Sequence, residues 1–495
     1  MSVGIKSALL SAILCAATTH AATAAAQASA PEDRWQDLNK CELSAGGGRL
    51  TASALCGHLS VPEDPGEPEG RQIELAFAVL PARAGTPQPD PVAFLAGGPG
   101  QSARDVLPIM QGPLRELNRH RDLIFLDQRG TGGSNALECA FEEDEALWLE
   151  PDWERFDRLL RDCLEGWDAD VRHYTTTRAA ADLDHFRDAY GIEQFNLIGG
   201  SYGTRMAQVY LRNHPDRVRS VVLDAVVPTR LALGSEHAIM LDRALYRLFA
   251  ACESDGRCAE AFPELDQAFE QLKARYREGS ASIVVTHPRT GQAIDLTFSR
   301  EVLGSALRFL AYGAESQMMI PYLVHEAAAT GSPERLASQA MIVNDQMQDA
   351  IAIGLNFAVG CSEDWPAWLR GRDHSDTLLG NSMEELYDRI CQWWPTGEVP
   401  PDFHQPFDSE VPILVLSGEL DPVTPPEYGE EVAAQFSNSR HLVAPGRGHT
   451  VSSNPCMSGI MTEFVTRADI TGLDTECMAR IGPEPFFLDL LGPAP

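Results

Sequence analysis

The sequence predicts an α/β protein, a mostly parallel sheet with helices on both faces, interrupted by an inserted and mainly helical cap. Three observations predict it. Short apolar runs alternate with helix-length amphipathic stretches up to Leu223, helical periodicity then dominates from about Thr229 to Phe403, and the alternation resumes at Val411. At 495 residues the chain has room for a large core and an insertion.

Taken in order, Leu75 to Leu80 and Val92 to Leu95 read as strands separated by a Pro/Gly-rich turn, and Leu123 to Leu126 is another, ending at Asp127. The acidic, Trp-containing stretch from Glu138 to Val171 is expected to hold helical excursions. Ala179 to Tyr190 has helical spacing, and Phe195 to Ile198 is a compact buried strand. Thr204 to Asn213 is a helix stopped by Pro215, and Val218 to Leu223 is the next strand. Strands alternating with helices at this spacing imply parallel pairing covered on both faces. In the cap, helices are expected at His237 to Cys252, Pro263 to Arg277, Arg300 to Ala311 and Glu334 to Ile353. A hairpin, Ile283 to Thr286 with Ala293 to Phe298, turns around an Arg-Thr-Gly segment. After the strand Val411 to Leu416 come a helix, about Glu427 to Phe436, and a strand, His441 to Ala444. The expected organisation is a signal peptide at 1–28, a first core part at 29–228, a cap at 229–405 and a second core part at 406–495.

The N-terminus reads as an export signal: Lys6 is the positive residue, Ala8 to Ala17 the apolar segment, and Ala-x-Ala patterns end at Ala24, Ala26, Ala28 and Ala30. Cleavage after Ala30 would leave Pro31 first, so Ala28 or earlier is favoured. Leu14 before Cys15 argues against a lipid anchor. An uncleaved membrane anchor is the competing reading, but the apolar run falls short of the roughly 18 residues a spanning helix needs, and no other run approaches that length. The expected location is secreted or periplasmic, with no membrane association once the signal is removed. Without Cys15, ten cysteines remain, an even set that in an exported protein suggests disulfides, with sequential neighbours as the simplest pairing. Zinc would compete for them, but Cys-x-x-Cys and His-Glu-x-x-His spacings are missing, so no metal or other cofactor is expected.

Lys plus Arg number 39 against 71 Asp plus Glu, a formal charge of −32. Such a surface repels phosphate backbones and makes nucleic acid a poor partner. It is suited to solubility, and also to cationic ligands such as peptide amino termini.

Gly199-Gly200-Ser201-Tyr202-Gly203 lies between the strand ending at Ile198 and the helix beginning near Thr204. A serine exposed on a sharp strand-to-helix turn needs small flanking residues, and the helix N-terminus faces the oxyanion that forms on attack. Ser201 is therefore the candidate nucleophile. The loop Ala96-Gly97-Gly98-Pro99-Gly100 follows another strand end, so the backbone amides of Gly98 and Tyr202 are the candidate oxyanion donors. A plain tight turn is the alternative for the loop. Asp421 follows the strand Val411 to Leu416, and His449 follows His441 to Ala444, with one helix between them. Chemistry in open α/β sheets gathers at the carboxyl ends of strands, and the chain order Ser, Asp, His is that of an α/β-hydrolase triad. Asp224, which also ends a strand, and Glu419 are rivals for the acid. Of thirteen histidines the others lack this loop context, and His214 beside Pro215 looks like a helix terminus.

These residues resemble the tripeptidyl aminopeptidase and proline iminopeptidase group of α/β-hydrolase serine peptidases. The resemblance rests on Gly199 to Arg205, Val221-Val222-Leu223-Asp224, the Gly-Gly-Pro-Gly loop, Asp127-Gln128-Arg129-Gly130-Thr131-Gly132-Gly133-Ser134, and Pro412 to Pro426. It covers roughly residues 90 to 230 and 390 to 460. Ala96 stands where proline iminopeptidases usually carry His, and Tyr202-Gly203-Thr204 replaces their Trp-Gly-Gly, which points toward the tripeptidyl aminopeptidase branch. Asp127 and Arg129 read as loop-ordering residues. The resemblance implies peptide substrates with free N-termini, whose ammonium a pair of cap carboxylates would bind; Glu363 and Asp364 are the candidates. The competing reading of that segment is an acidic surface turn pinned by a disulfide. A carboxylesterase or lipase on the same scaffold remains an alternative function, and a binding protein on a dead hydrolase fold a third.

Overall fold

The computed structural model describes residues 1, 34–139, 153–288, 290–348, 350–489 and 491–493. The export segment from Lys6 to Ala30 and the middle of the acidic stretch after Glu138 lie outside the described residues. In chain order the strands are β1 (Asn39–Ala45), β2 (Leu50–Pro62), β3 (Gln72–Leu80), β4 (Val92–Leu95), β5 (Leu123–Leu126), β6 (Phe195–Gly200), β7 (Val218–Asp224), β8 (Ala281–Thr286), β9 (Ala293–Phe298), β10 (Ile413–Gly418) and β11 (Ser439–Ala444). The α-helices of the first part are α1 (Ala103–Met110), α2 (Trp153–Gly166), α3 (Thr176–Ala189) and α4 (Tyr202–Asn213). Between β7 and β10 come α5 (His237–Ser254), α6 (Gly256–Ala261), α7 (Leu265–Tyr276), α8 (Arg300–Leu310), α9 (Ile320–Thr330), α10 (Glu334–Gln348), α11 (Ile353–Val359) and α12 (Ser382–Cys391). After β10 follow α13 (Pro426–Gln435) and α14 (Pro455–Arg467).

Nine strands form one sheet in the order β1-β2-β3-β5-β4-β6-β7-β10-β11. The run from β5 to β11 is parallel, while β1, β2 and β3 make an antiparallel edge joined to β5. The parallel strands β4 and β5 are apolar and buried at every position because both faces of the sheet are covered. In β4, Ala93 and Leu95 pack with Leu183 of α3 and Met206 of α4, whereas Val92 and Phe94 pack with Leu107 of α1 and Phe464 of α14. The segment between β7 and β10 is mainly helical and has its own core, built from α5, α7, α8, α9, α10 and the β8–β9 hairpin. This is an α/β-hydrolase architecture with a helical insertion.

Two features differ from the expectation. β1 and β2 extend the sheet at an edge, where Leu43 alone of the seven β1 residues is buried, so no apolar alternation marks the strand. The helix expected from Glu334 to Ile353 is two helices, because Ala352 is extended and its N–H donates to the Gly100 carbonyl at 2.9 Å. A backbone bond to the glycine loop thus breaks a stretch whose local pattern is helical. Five disulfides join sequential neighbours: Cys41–Cys56, Cys139–Cys163, Cys252–Cys258, Cys361–Cys391 and Cys456–Cys477.

Candidate active site

Ser201 caps α4 where β6 ends, with φ 53° and ψ −123°. A non-glycine residue in that region costs on the order of 1–3 kcal/mol, which the surroundings must offset. The Ser201 N–H donates to the Asp224 carbonyl on the neighbouring strand at 2.9 Å. The flanking glycines are required by packing. A Cβ at Gly199 would lie 2.5 Å from the Gly203 carbonyl oxygen, and one at Gly203 would lie 2.0 Å from that of Leu95. The turn can close only without side chains at both places.

The glycine loop after β4 lies against the serine. A Cβ on Gly97 would be 3.3 Å from that of Ser201, and the Gly97 N–H is held by Gln101 Oε1 at 3.1 Å. Gly98 adopts φ 107°, a conformation that side chains disfavour. The loop and the first residue of α4, Tyr202, therefore flank the serine from two directions.

Asp421 and His449 sit on the loops after β10 and β11. Asp421 is buried and its Oδ2 accepts from His449 Nδ1 at 2.9 Å. It also accepts from the N–H groups of Val423 and Thr424, at 2.9 Å each, and from Thr424 Oγ1 at 2.7 Å. That acceptor set fixes the carboxylate and directs the other imidazole nitrogen, Nε2, away from it. The His449 N–H donates to the Tyr312 carbonyl at 2.8 Å, and the Tyr312 ring packs edge-on at 4.9 Å. Asp224 has a different place from the one an acid partner would take. Its buried carboxylate accepts from the N–H groups of Val451 and Ser452, just past the histidine, and so anchors the histidine loop. Burial pushes its carboxyl up, and those bonds oppose the shift. Glu419 is exposed and accepts from the Gly446 N–H.

Asp127 is buried and accepts from Ser102 Oγ and from the N–H groups of Arg104 and Gly133, while Arg129 forms a bidentate pair with Asp182. Both tie the loop after β5 to its neighbours.

Glu363 and Asp364 lie in a π-helical turn after α11 and are 2% and 0% exposed. The turn is pinned by Cys361–Cys391, yet it is not a surface turn. Glu363 accepts from the Thr176 N–H and from Thr176 Oγ1, the latter at 2.7 Å, and that hydroxyl lies 2.6 Å from the Tyr202 hydroxyl. Asp364 Oδ1 pairs with Arg205 Nη1 at 2.6 Å and accepts from the Leu233 N–H at 2.8 Å. Asp364 Oδ2 is buried without a hydrogen-bond partner. Burial first, and then Asp364, push the Glu363 carboxyl up to about 7, against the pull of Arg205 and Thr176. Two carboxyl groups thus share one guanidinium in a buried site.

Thr176, Tyr312, Thr424, Ala352 and Arg205 escape a reading of the sequence. Only Arg205 carries a visible signal, as a charged residue on α4, a helix whose first ten residues are all buried.

Comparison with known proteins agrees with this architecture. The model for the alpha/beta hydrolase fold matches residues 90–251, and that for TAP-like proteins matches 376–477. A putative hydrolase, YuaR, of Escherichia coli is 30% identical over 452 residues, covering 86% of this chain and 88% of the relative. A tripeptidyl aminopeptidase of Streptomyces lividans is 26% identical over 477 residues, covering 87% and 84%. The serine protease Hip1 of Mycobacterium tuberculosis is 25% identical over 454 residues, covering 84% and 86%. The chain belongs to the α/β-hydrolase family of serine hydrolases, in its tripeptidyl aminopeptidase-like group.

Proposed function

We propose that the protein is an exported serine exopeptidase that releases short peptides or single residues from free N-termini. Ser201 Oγ attacks the scissile carbonyl while His449 Nε2 takes its proton, and Asp421 stabilises the imidazolium through Nδ1–H. The amides of Tyr202 and Gly98 receive the oxyanion. His449 then protonates the departing amine, and water attacks the acyl-enzyme to return free Ser201 and a carboxylate product. Residues 229–405 act as the cap over the site. No cofactor enters the reaction.

The observation that carries the exopeptidase reading is the charge balance beside Tyr202. With both ionised, Glu363 and Asp364 hold two negative charges against the single positive charge of Arg205, all buried, and Asp364 Oδ2 is unpartnered. A substrate ammonium supplies the missing charge and the missing donors. The names of the Streptomyces and Mycobacterium relatives support peptide bonds as the target. Export is supported by five disulfides, and among the described residues no helix is long and apolar enough to cross a membrane.

The test is a chromogenic tripeptide with its amino terminus free or acetylated, alongside a simple ester and the Ser201→Ala variant. Cleavage of the free peptide alone supports the reading. Turnover of the ester with neither peptide cleaved replaces it with a carboxylesterase. Activity that survives Ser201→Ala ends the proposed mechanism.

A further inference from the structure

Arg308 lies in the last turn of α8, and that helix ends against the histidine loop. The Ala311 and Tyr312 carbonyls crowd Gly448, where an added Cβ would meet them at 3.0 and 2.5 Å, and Tyr312 also receives the His449 N–H. The guanidinium has no strong partner in this position. Its Nη2 is 3.2 Å from His237 Nδ1, its Nη1 is 3.8 Å from Met383 Sδ, and its Nε is buried with no hydrogen-bond partner. No carboxylate among the described residues pairs with it, in a chain that carries 71 acidic side chains.

His237 does not supply the counter-charge. Burial, then the positive charge of Arg308, then that of His449 hold its imidazole neutral, which also shows that Arg308 and His449 bear on the same ring. The Tyr387 hydroxyl senses both Asp364 and Arg308. That hydroxyl donates to Asn356 Oδ1 at 3.3 Å, and Asn356 Nδ2 donates to the Pro99 carbonyl in the glycine loop at 3.2 Å. Arg308 therefore lies on the helix that ends against the histidine loop, and Tyr387 and Asn356 connect its neighbourhood to the glycine loop. A half-buried guanidinium with an orphaned N–H is costly to leave unpaired, and its planar donor fork matches a carboxylate.

We propose that Arg308 is the carboxylate-recognising residue of the substrate pocket, so that the enzyme selects peptides carrying an anionic group near the scissile bond. The proposal rests on the exopeptidase reading for its substrate class: the ammonium end goes toward Asp364 and the carboxylate toward Arg308. The carboxylate has two sources, an acidic side chain or the C-terminus of a short peptide.

Three matched substrate pairs test it with the full-length enzyme. The first compares Ala-Ala-Ala-p-nitroanilide with analogues holding Glu at each position in turn. The second compares tetra-alanine with its C-terminal amide, and the third p-nitrophenyl hemisuccinate with p-nitrophenyl butyrate. The readout is the anionic-to-neutral ratio of kcat/KM. The wild type is expected to favour the anionic member of at least one pair by about tenfold or more, the scale of a charge-assisted hydrogen bond. Arg308→Gln is expected to bring that ratio near unity, and Arg308→Glu to invert it. If Arg308→Gln does not fold, Arg308→Lys, which keeps the charge and loses the fork, is expected to lower the ratio part of the way. Preference in the first pair assigns the side chain as the source, and preference in the second assigns the C-terminus. Ratios near unity throughout the wild type, or a preference unchanged in the Arg308 variants, overturn the proposal. If the esters turn over and no peptide does, the exopeptidase reading fails, while the ester pair still decides the role of Arg308.

Discussion

Replacing Glu363 by glutamine tests the amine anchor through its pH dependence. With its carboxyl pushed up to about 7, Glu363 is half ionised near pH 7, about one-tenth ionised near pH 6 and about one-hundredth near pH 5. Its protonation leaves Asp364 balanced by Arg205 and removes the excess charge that an ammonium would neutralise. A peptide α-amino group, with a pKa of about 7.7–8.0, stays protonated through this range. The kcat/KM of a free tripeptide relative to that of an uncharged ester is therefore expected to fall about fivefold from pH 7 to pH 6, and roughly tenfold more by pH 5. Taking the ratio cancels any titration of the proposed triad, which both substrates would share. Glu363→Gln is expected to give a low ratio that is flat with pH.

The same shift makes a stability statement of definite sign. The folded-state carboxyl sits above its unfolded value of 4.5, so the native state holds the proton more tightly. Its contribution is most favourable below about pH 4.5 and is lost as pH rises toward 7, a change of at most about 3 kcal/mol. Urea unfolding of Glu363→Gln should show that much less loss between those limits than the wild type. A peptide-to-ester ratio in Glu363→Gln that matches the wild type in size and slope would refute the charge-balance reasoning.

Asp421→Asn is expected to lower kcat by about a thousandfold or more with the unfolding transition near that of the wild type, measured by steady-state kinetics and circular dichroism. Asp224→Ala orphans the Val451 and Ser452 N–H groups, each worth about 1–3 kcal/mol, so chemical denaturation should show the loss while ester and peptide kcat fall together. Removing Cys361–Cys391 by the double serine variant reopens a separation of 30 residues and should cost about 3–4 kcal/mol by loop entropy, read from urea unfolding of oxidised protein.

The turn carrying Ser201 is legible in the sequence because its requirements are local: glycines are needed where a Cβ would strike the Gly203 and Leu95 carbonyls, and those glycines are written in the chain. The loops carrying Asp421 and His449 are legible because β10 is a short apolar run and β11 ends on one, Leu442-Val443-Ala444, and both ends mark the carboxyl edge of a parallel sheet. Features decided by distant partners are not. The break before α11 depends on Gly100, more than 200 positions away, and β1 depends on pairing with β2 without a buried face of its own. The segment Cys361-Ser362-Glu363-Asp364 looks like an acidic turn because nothing nearby says that Arg205 and Thr176 will enclose it.

That enclosure bears on how binding energy is used in the proposed reaction. Tyr202, whose amide is a candidate oxyanion donor, holds Thr176 through its hydroxyl, and Thr176 holds Glu363. The excess negative charge of an empty amine site therefore lies a short chain of hydrogen bonds behind the place where negative charge develops on the substrate. Buried charge of the same sign opposes that development, and the low dielectric of the site strengthens the opposition. Under the proposed reading an ammonium docked at Asp364 would cancel the charge before attack, so that a free amino terminus would both anchor the peptide and lower the barrier. An acetylated one leaves the repulsion in place. Such differential stabilisation raises kcat and not affinity alone, and it gives a physical reason for a buried carboxylate pair to share a single guanidinium.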